Sequence, residues 1–442
     1  MPNPYLPSWE YIPDGEPRVF GDRVYIYGSH DKVNSDHFCD YKLKVWSASV
    51  DNLKDWTCHG HCFHSRDDRD HTSDVDWTDH LLYAPDVVEK DGKYYLYAYL
   101  VGAKGCVAVS DRPEGPFSLL STYKFEDGES SDGNEFVDPG TLVDDDGRVY
   151  TYCGFLGSYM AEMNPDNMYE VISGSYKEGI IPKEAPYDFF EACSPRKVGD
   201  TYYLIYSPTP QECSRLVYAT SKSPRGPFEY GGIIVDNGVD YPGGNDHGSI
   251  CLIKDQWYIF YHRMTNNSIM SRRACVEKIE ILEDGSIPQV AMTSLGFEES
   301  LNPYEPTPGE FACHLSGGCF ITERNLFERP VTFITHGSTM GYRTFDFGED
   351  YASKTMKFAV KVRGLGAKSK IRILMDHPSS GIEIGTCEIG RGDGIYEGIV
   401  KQVTGRHDVY LVVEHSYESM DFAMPGFEVR HLFELETFVF LK

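Results

Sequence analysis

The sequence predicts an all-β chain, a five-bladed β-propeller followed by a β-sandwich of jelly-roll type. Three observations predict it. A hairpin-like segment recurs five times in the first three hundred residues. Turn formers are plentiful, with 42 Gly and 25 Pro, as short strands joined by tight turns require. Beyond a Pro- and Gly-rich stretch the repeat stops and a different strand pattern begins.

The repeat unit is an apolar strand, a Gly/Asp turn and an aromatic-rich strand. It opens with Val19-Phe20-Gly21-Asp22-Arg23-Val24-Tyr25-Ile26-Tyr27 and returns as Val88-Glu89-Lys90-Asp91-Gly92-Lys93-Tyr94-Tyr95-Leu96-Tyr97. The third copy runs from Leu142 through Asp146-Gly147 to Tyr152, the fourth from Lys197 through Gly199-Asp200 to Tyr206. The fifth runs from Leu252 through Lys254-Asp255 to Tyr261. Asp and Gly supply the positive φ of hairpin turns, and the β-branched and aromatic flanks are strand formers. The last four copies recur at about 50–60 residues, a propeller-like period. The first gap is about 70 residues, the excess lying in the polar run from Cys58 to Asp79. Further strands follow, such as Lys44-Val45-Trp46-Ser47-Ala48-Ser49, Val107-Ala108-Val109-Ser110 and Val217-Tyr218-Ala219-Thr220-Ser221. Each unit is thus about four strands long, the size of one propeller blade. A long sandwich of meanders is the alternative, but it has no reason to repeat five times.

The repeat ends near Ile281, and Asn302-Pro303-Tyr304-Glu305-Pro306-Thr307-Pro308-Gly309 reads as linker chemistry. Afterwards Met356 to Val362 and Ile371 to Met375 alternate, while Val409-Tyr410-Leu411-Val412-Val413 is nearly all apolar. The expected division is a propeller over 1–300, a linker over 301–310 and a sandwich over 311–442.

Charge narrows the partners. With 41 Lys+Arg against 68 Asp+Glu, the formal net charge is −27. Nucleic acid and anionic membrane surfaces are therefore poor partners, and a neutral or cationic substrate fits better. No apolar run is long enough to span a bilayer. The start, Met1-Pro2-Asn3-Pro4-Tyr5, has neither a basic nor an apolar leader region, so a cytoplasmic location is expected. The 12 Cys are irregularly spaced and read as reduced, mostly buried thiols. Oligomeric state has no sequence signal.

Three acids stand just ahead of repeated hairpins. Asp14 lies in Ile12-Pro13-Asp14-Gly15-Glu16-Pro17, Asp138 in Phe136-Val137-Asp138-Pro139-Gly140, and Glu191 in Phe189-Phe190-Glu191-Ala192-Cys193-Ser194. A lone acid before a turn is usually a cap or an ion-pair partner. Three in equivalent blade positions converge on one mouth of a propeller channel. Such a trio suits glycoside hydrolysis. One carboxyl donates a proton to the leaving oxygen, one activates water, and the third tunes the acid through like-charge repulsion.

These motifs resemble glycoside hydrolase family 43, its arabinofuranosidase- and xylosidase-like members, over about Pro4 to Pro288. The family has a five-bladed propeller and acts with inversion. The resemblance implies Asp14 as general base, in the family's Pro-Asp-Pro position with Gly15 for the second Pro. A register shifted by two would put Glu16 there instead. It implies Asp138 as the pKa modulator and Glu191 as general acid. Asn245-Asp246-His247-Gly248-Ser249-Ile250 resembles the family's His motif, which implies a water-mediated calcium at His247; no cofactor is implied for the chemistry. Arg272 or Arg273 matches a family Arg near the sugar, with Arg272 preferred. Asp86, in Tyr83-Ala84-Pro85-Asp86, reads as structural support. The C-terminal part, about Phe311 to Lys442, resembles a family 6 carbohydrate-binding module through Tyr342 to Gly348, Thr404 to Leu411 and Phe433 to Phe438. Glu436-Thr437 replaces that family's closing Asp-Trp, which leaves bracing of the propeller as the sandwich's expected role.

His30 and Asp31 are expected to line the channel beside the sugar, Trp77 to wall the pocket, and Phe190, next to the acid, to bind substrate. Ser29-His30-Asp31 is no catalytic triad, since neighbours along a strand point to opposite faces. The tract Cys58-His59-Gly60-His61-Cys62-Phe63-His64 has metal-like spacing but falls in the extra loop of blade one, where the resemblance supplies no zinc. The expected activity is exo-acting, inverting release of terminal α-L-arabinofuranose from arabinoxylan- or arabinan-derived oligosaccharides. The alternatives are a β-D-xylosidase on xylo-oligosaccharides and a non-catalytic sugar-binding propeller. The fructan-acting propeller families need an Asn-Asp-Pro-Asn-like motif, which is absent.

Overall fold

A computed structural model of the chain describes residues 1–125, 136–209, 214–349, 351–415 and 431–442. Blade one comprises β1 (Glu16–Phe20), β2 (Arg23–Gly28), β3 (Lys42–Ser49) and β4 (Asn52–His64). Blade two is β5 (Leu82–Lys90), β6 (Lys93–Leu100), β7 (Gly105–Ser110) and β8 (Ser118–Thr122). Blade three is β9 (Gly140–Val143), β10 (Val149–Gly154), β11 (Ser158–Met163) and β12 (Lys177–Glu178). Blade four is β13 (Phe189–Val198), β14 (Thr201–Pro208), β15 (Arg215–Ser221) and β16 (Glu229–Asp236). Blade five has three strands, β17 (Ser249–Ile253), β18 (Gln256–Thr265) and β19 (Ser268–Ile279).

Each blade is an antiparallel meander. The first strands adjoin in the order β1, β5, β9, β13, β17, and β17 returns to β1, which closes the ring. The hairpins fall where the sequence places them, as in Val19↔Val24 and Lys90↔Lys93. The second strand of each blade is buried on both faces over most of its length because each sheet packs against two neighbours. Tyr25 and Tyr27 face blade two, while Val24 and Ile26 face blade five. Tyr150 and Tyr152 face blade four, while Val149 and Cys153 lie in the cluster with blade two. Polar pairs stitch the inner ring. Arg18 Nε donates to Asp86 Oδ1 at 2.9 Å, and the Thr141 N–H donates to Asp86 Oδ2 at 2.7 Å. Asp86 is thus a fully buried brace across blades one, two and three.

Residues after 300 build the sandwich. Its strands are β20 (Thr307–Pro308), β21 (His314–Ser316), β22 (Phe320–Ile321), β23 (Val331–Thr332), β24 (Thr339–Asp346) and β25 (Thr355–Gly364). They continue as β26 (Ser369–Met375), β27 (Ile382–Ile389), β28 (Gly394–Lys401), β29 (Arg406–His415) and β30 (Phe433–Leu441). They form one continuous sheet from β21 through β24, β29, β26, β27, β28, β25 and β30 to β23 and β22. The segment expected as a linker is no free tether. Leu301 bridges Phe345, the Phe440 N–H donates to Pro303 O at 2.9 Å, and Thr307–Pro308 pairs with β30. The sandwich and blades four and five share one apolar core, in which Tyr203, Tyr218, Ile250 and Cys275 join Leu315, Tyr342 and Phe345.

Candidate active site

Asp14, Asp138 and Glu191 line one cavity of about 1000 Å3. The backbone that presents them is unusual. Asp14 has φ 58° and Asp138 φ 51°, left-handed values for residues with a Cβ. Glu191 sits between two register shifts of β13, and Ala192 beside it has φ 62°. Such costs of roughly 1–3 kcal/mol each persist where surrounding structure enforces them, commonly at functional sites. Bulges re-aim a side chain out of the sheet plane. Gly140 lets blades three and four close up, because a Cβ there would collide with the Cys193 carbonyl. That approach brings the segments carrying Asp138 and Glu191 together.

Asp14 is held on several sides. Arg272 Nη1 donates to Asp14 Oδ1 at 2.8 Å, and Ser29 Oγ donates to Asp14 Oδ2 at 2.6 Å. Its own backbone N–H donates to His262 Nδ1 at 3.2 Å. His262 must therefore carry its proton on Nε2, which donates to Asn245 O at 2.9 Å. Burial and the Arg272 guanidinium push the His262 imidazole down to about 3, so it stays neutral. For Asp14, burial pushes the carboxyl upward, but the Arg272 guanidinium foremost, helped by the Ser29 hydroxyl, pulls it down. The group ends below its ordinary value.

The other two acids move the opposite way. Burial, then Asp14, raises Glu191 to about 7 against the pull of Arg272. Burial, then Glu191 and Asp14, raises Asp138 well above the usual carboxylate range. The repulsion expected of Asp138 on the acid is thus felt most at Asp138 itself. Pairs of carboxyls driven apart in this way mark acid and base assignments.

The remaining expected residues divide. Phe190, His247 and Arg272 line the cavity. Arg273, next to Arg272 on β19, points the other way and pairs with Glu310. Glu16 does not line the cavity; Arg196 Nη2 holds its Oε2 at 2.8 Å inside the channel. Asp31 is corrected from sugar contact to support: it grips Arg272 through Nε at 2.9 Å and Nη2 at 3.0 Å. His30 is likewise off the cavity, 3.4 Å from Glu10 and 3.3 Å from Lys44. Trp77 is not the pocket wall either. It packs on the core between blades one and two, where burying a large apolar ring is most favourable.

The walls come from residues the sequence did not single out. Phe38, Tyr83, Tyr99, Phe155 and Tyr159 join Phe190 as rings around the acids. The β10–β11 turn presents Phe155 and Leu156, and the Leu156 N–H donates to Phe190 O at 2.7 Å. Phe38 stacks 4.9 Å from the Arg272 guanidinium. The signal for His262 was a basic residue ending the apolar run Trp257 to Tyr261. The cavity-facing aromatics other than Phe190 had no signal, because the blade cores are rich in the same residue types.

The model of glycosyl hydrolases family 43 matches residues 11–287. A xylosidase/arabinosidase of Thermoclostridium stercorarium is 42% identical over 363 residues, 74% of this chain and 73% of that protein. A family 43 β-xylosidase/α-arabinofuranosidase from a compost metagenome, solved with xylotriose in a calcium-free form, aligns with TM-score 0.55 and 28% identity. That alignment covers 66% of this chain and 99% of the other. An arabinoxylan arabinofuranohydrolase from Bacillus subtilis, solved with cellotetraose, covers 100% of this chain and 97% of its own, at TM-score 0.53 and 24% identity. That last likeness concerns the fold. The inward-turned acids, the closed ring of blades and the matched family model lead to one statement: the chain is a glycosidase that hydrolyses O-glycosyl bonds and belongs to glycosyl hydrolase family 43.

Proposed function

We propose that the enzyme is an exo-acting, inverting hydrolase that releases terminal α-L-arabinofuranose from arabinoxylan- or arabinan-derived oligosaccharides. The observation that carries the reading is the opposed tuning of two acids on one cavity, Asp14 low and Glu191 at about 7. Asp14 is the general base. Held ionised by Arg272, it takes a proton from the water that attacks the anomeric carbon. Glu191 is the general acid and gives its proton to the leaving glycosidic oxygen as that bond breaks. Asp138, more deeply buried than Glu191, stays protonated behind it and keeps a second negative charge away. Arg272 is a positioning residue for Asp14, and Asp31 fixes Arg272. The aromatic walls offer faces for the apolar side of a sugar. The relative that shares 42% identity is named for both xylosidase and arabinosidase activity, so β-D-xylosidase action on xylo-oligosaccharides is the second reading.

Calcium belongs to the same proposal. Oxygens flanking His247, Asn245 Oδ1 and Asp246 Oδ2, are buried without a hydrogen-bond partner among the described residues, and hard cations take oxygen ligands. These groups with His247, through water, would hold the ion, whose charge would favour ionised Asp14. The sandwich is proposed as a brace of carbohydrate-binding-module type. Its Glu436 is engaged by Arg324 at 2.7 Å and Lys361 at 2.8 Å, so cationic side chains neutralise it. Aryl arabinofuranosides and xylosides followed by proton NMR test the whole reading. Release of arabinose with inverted anomeric configuration is expected. Retention overturns the two roles, and silence on every pentoside overturns the substrate class.

A further inference from the structure

We infer that His64, His71 and Asp74 form a zinc site that staples the long loop of blade one, a site separate from the catalytic cavity. One ligand atom from each residue lies within 4.8 Å of the other two. His64 ends β4, and its ring is buried, with Nδ1 making no hydrogen bond among the described residues. A buried imidazole nitrogen without a partner is costly. Asp74 Oδ2 stands 3.7 Å from that Nδ1 and 3.1 Å from His71 Nε2. In a tetrahedral zinc site with bonds of about 2.0–2.2 Å, neighbouring ligand atoms stand roughly 3.3 Å apart. The two measured edges bracket that value. The His64 and His71 rings stack 3.9 Å apart, so taking up the ion turns the rings until their in-plane lone pairs converge on it.

The support around the ligands is already built. The His64 N–H donates to Asp74 Oδ2 at 2.7 Å, and the Asp74 N–H returns to His64 O at 2.9 Å. Asp68 Oδ1 accepts the His71 N–H at 2.9 Å, which fixes the loop that carries His71. Groups of this kind orient metal ligands in known sites. Two imidazoles and one carboxylate suit zinc better than calcium or magnesium. Half-open His71 leaves a route for the ion and room for water as fourth ligand. The spacing in Cys58 to His64 was a false lead in detail. Cys58 is exposed and His59 hydrogen-bonds to Ser47, and of that tract only His64 belongs to the three-ligand group among the described residues. The missing partners come from the loop that follows. Through Leu81, whose carbonyl accepts the Val101 N–H at 3.0 Å, this loop backs a residue of the cavity wall.

The test uses the full chain and the metal alone, so it is independent of the glycosidase reading. The protein is loaded with zinc, freed of excess by gel filtration and measured for metal content. Affinity is then read by competition with a chromophoric chelator. One zinc per chain is expected, weakened at least roughly tenfold in His71→Ala and in Asp74→Asn and unchanged in Cys58→Ser. Cobalt in place of zinc should give the visible bands of a four-coordinate site in the wild-type chain, which zinc displaces. That readout needs no variant to fold. A folded wild-type chain that retains no zinc, or retention unaltered in folded His71→Ala, overturns the assignment. Loss of zinc in Cys58→Ser would also overturn it, by moving the site to the thiol.

Discussion

Asp14 and Glu191 line the same cavity, yet their neighbours set opposite protonation states, and the pH dependence follows from the signs. A general base works when ionised. Asp14 lies below its ordinary value, so activity should fall on the acid side only below about pH 4, the usual carboxylate range. A general acid works when protonated. Glu191 is raised to about 7, so kcat/KM should fall as pH rises through about 7. A profile of kcat/KM with an arabinofuranoside checks this; a flat response between pH 6 and 9 would sink the assignment of Glu191. Asp14→Ala and Glu191→Ala should each lower kcat by roughly 100- to 10000-fold with the circular dichroism spectrum unchanged. Arg272→Lys keeps the charge but cannot grip Asp31 through two nitrogens and Asp14 through a third. The acid limb should therefore move up in that variant, a shift that loss of packing alone would not produce.

At the scale of elements, the hairpins were legible because turn chemistry and strand chemistry agree there. Asp91 and Gly92 take φ 53° and 75°, the positive values that Asp-Gly announces. The three acids were legible because carboxylates just ahead of repeated hairpins, two of them next to Val137 and Phe190, have no structural excuse there. Trp77, His30 and Asp31 were misplaced because sequence shows neither which face of a loop is buried nor which acid grips which Arg. The three-stranded blade five was equally hidden, since its neighbour comes from the other end of the chain. The N-terminal segment lies along β19: the Tyr5 N–H donates to Ala274 O at 3.2 Å, and Asn3 is fully buried. Asn3 Nδ2 donates to Val276 O at 2.9 Å and to Glu277 Oε1 at 3.0 Å, and Asn3 Oδ1 accepts the Val276 N–H at 3.0 Å. Asn3→Ala would strand these groups in the interior. Unsatisfied buried polar groups cost about 1–3 kcal/mol each, so urea unfolding should show a loss of about 2–4 kcal/mol. A loss under about 0.5 kcal/mol, the range of neutral surface changes, would mean the clasp does not hold the ring shut.

For the whole molecule the question is whether two architectures make two folding units. Pro-rich linker chemistry suggested that they do. The shared core argues otherwise, because Tyr203, Tyr218 and Ile250 of the propeller lie in the same apolar cluster as Tyr342 and Phe345 of the sandwich. Polar ties cross the same boundary. Arg343 of β24 donates to Asp240 Oδ2 at 2.9 Å and to Met292 O at 3.1 Å, while Arg263 of β18 donates to Glu310 O at 2.9 Å. Tyr11, three residues before Asp14, donates to Glu323 Oε2 of the sandwich at 2.8 Å. Melting the sandwich first would expose the wall of blades four and five and leave Arg263, which is buried, with Asn3 O but without Glu310 O. Each fully buried large apolar side chain exposed would cost about 1.5–3 kcal/mol, so the propeller has little stability to keep once its cover is gone. Scanning calorimetry of the full chain should then show one cooperative transition, with catalytic activity and sandwich structure lost together. Two resolved transitions, with the first leaving turnover intact, would show that the sandwich is an independent appendage.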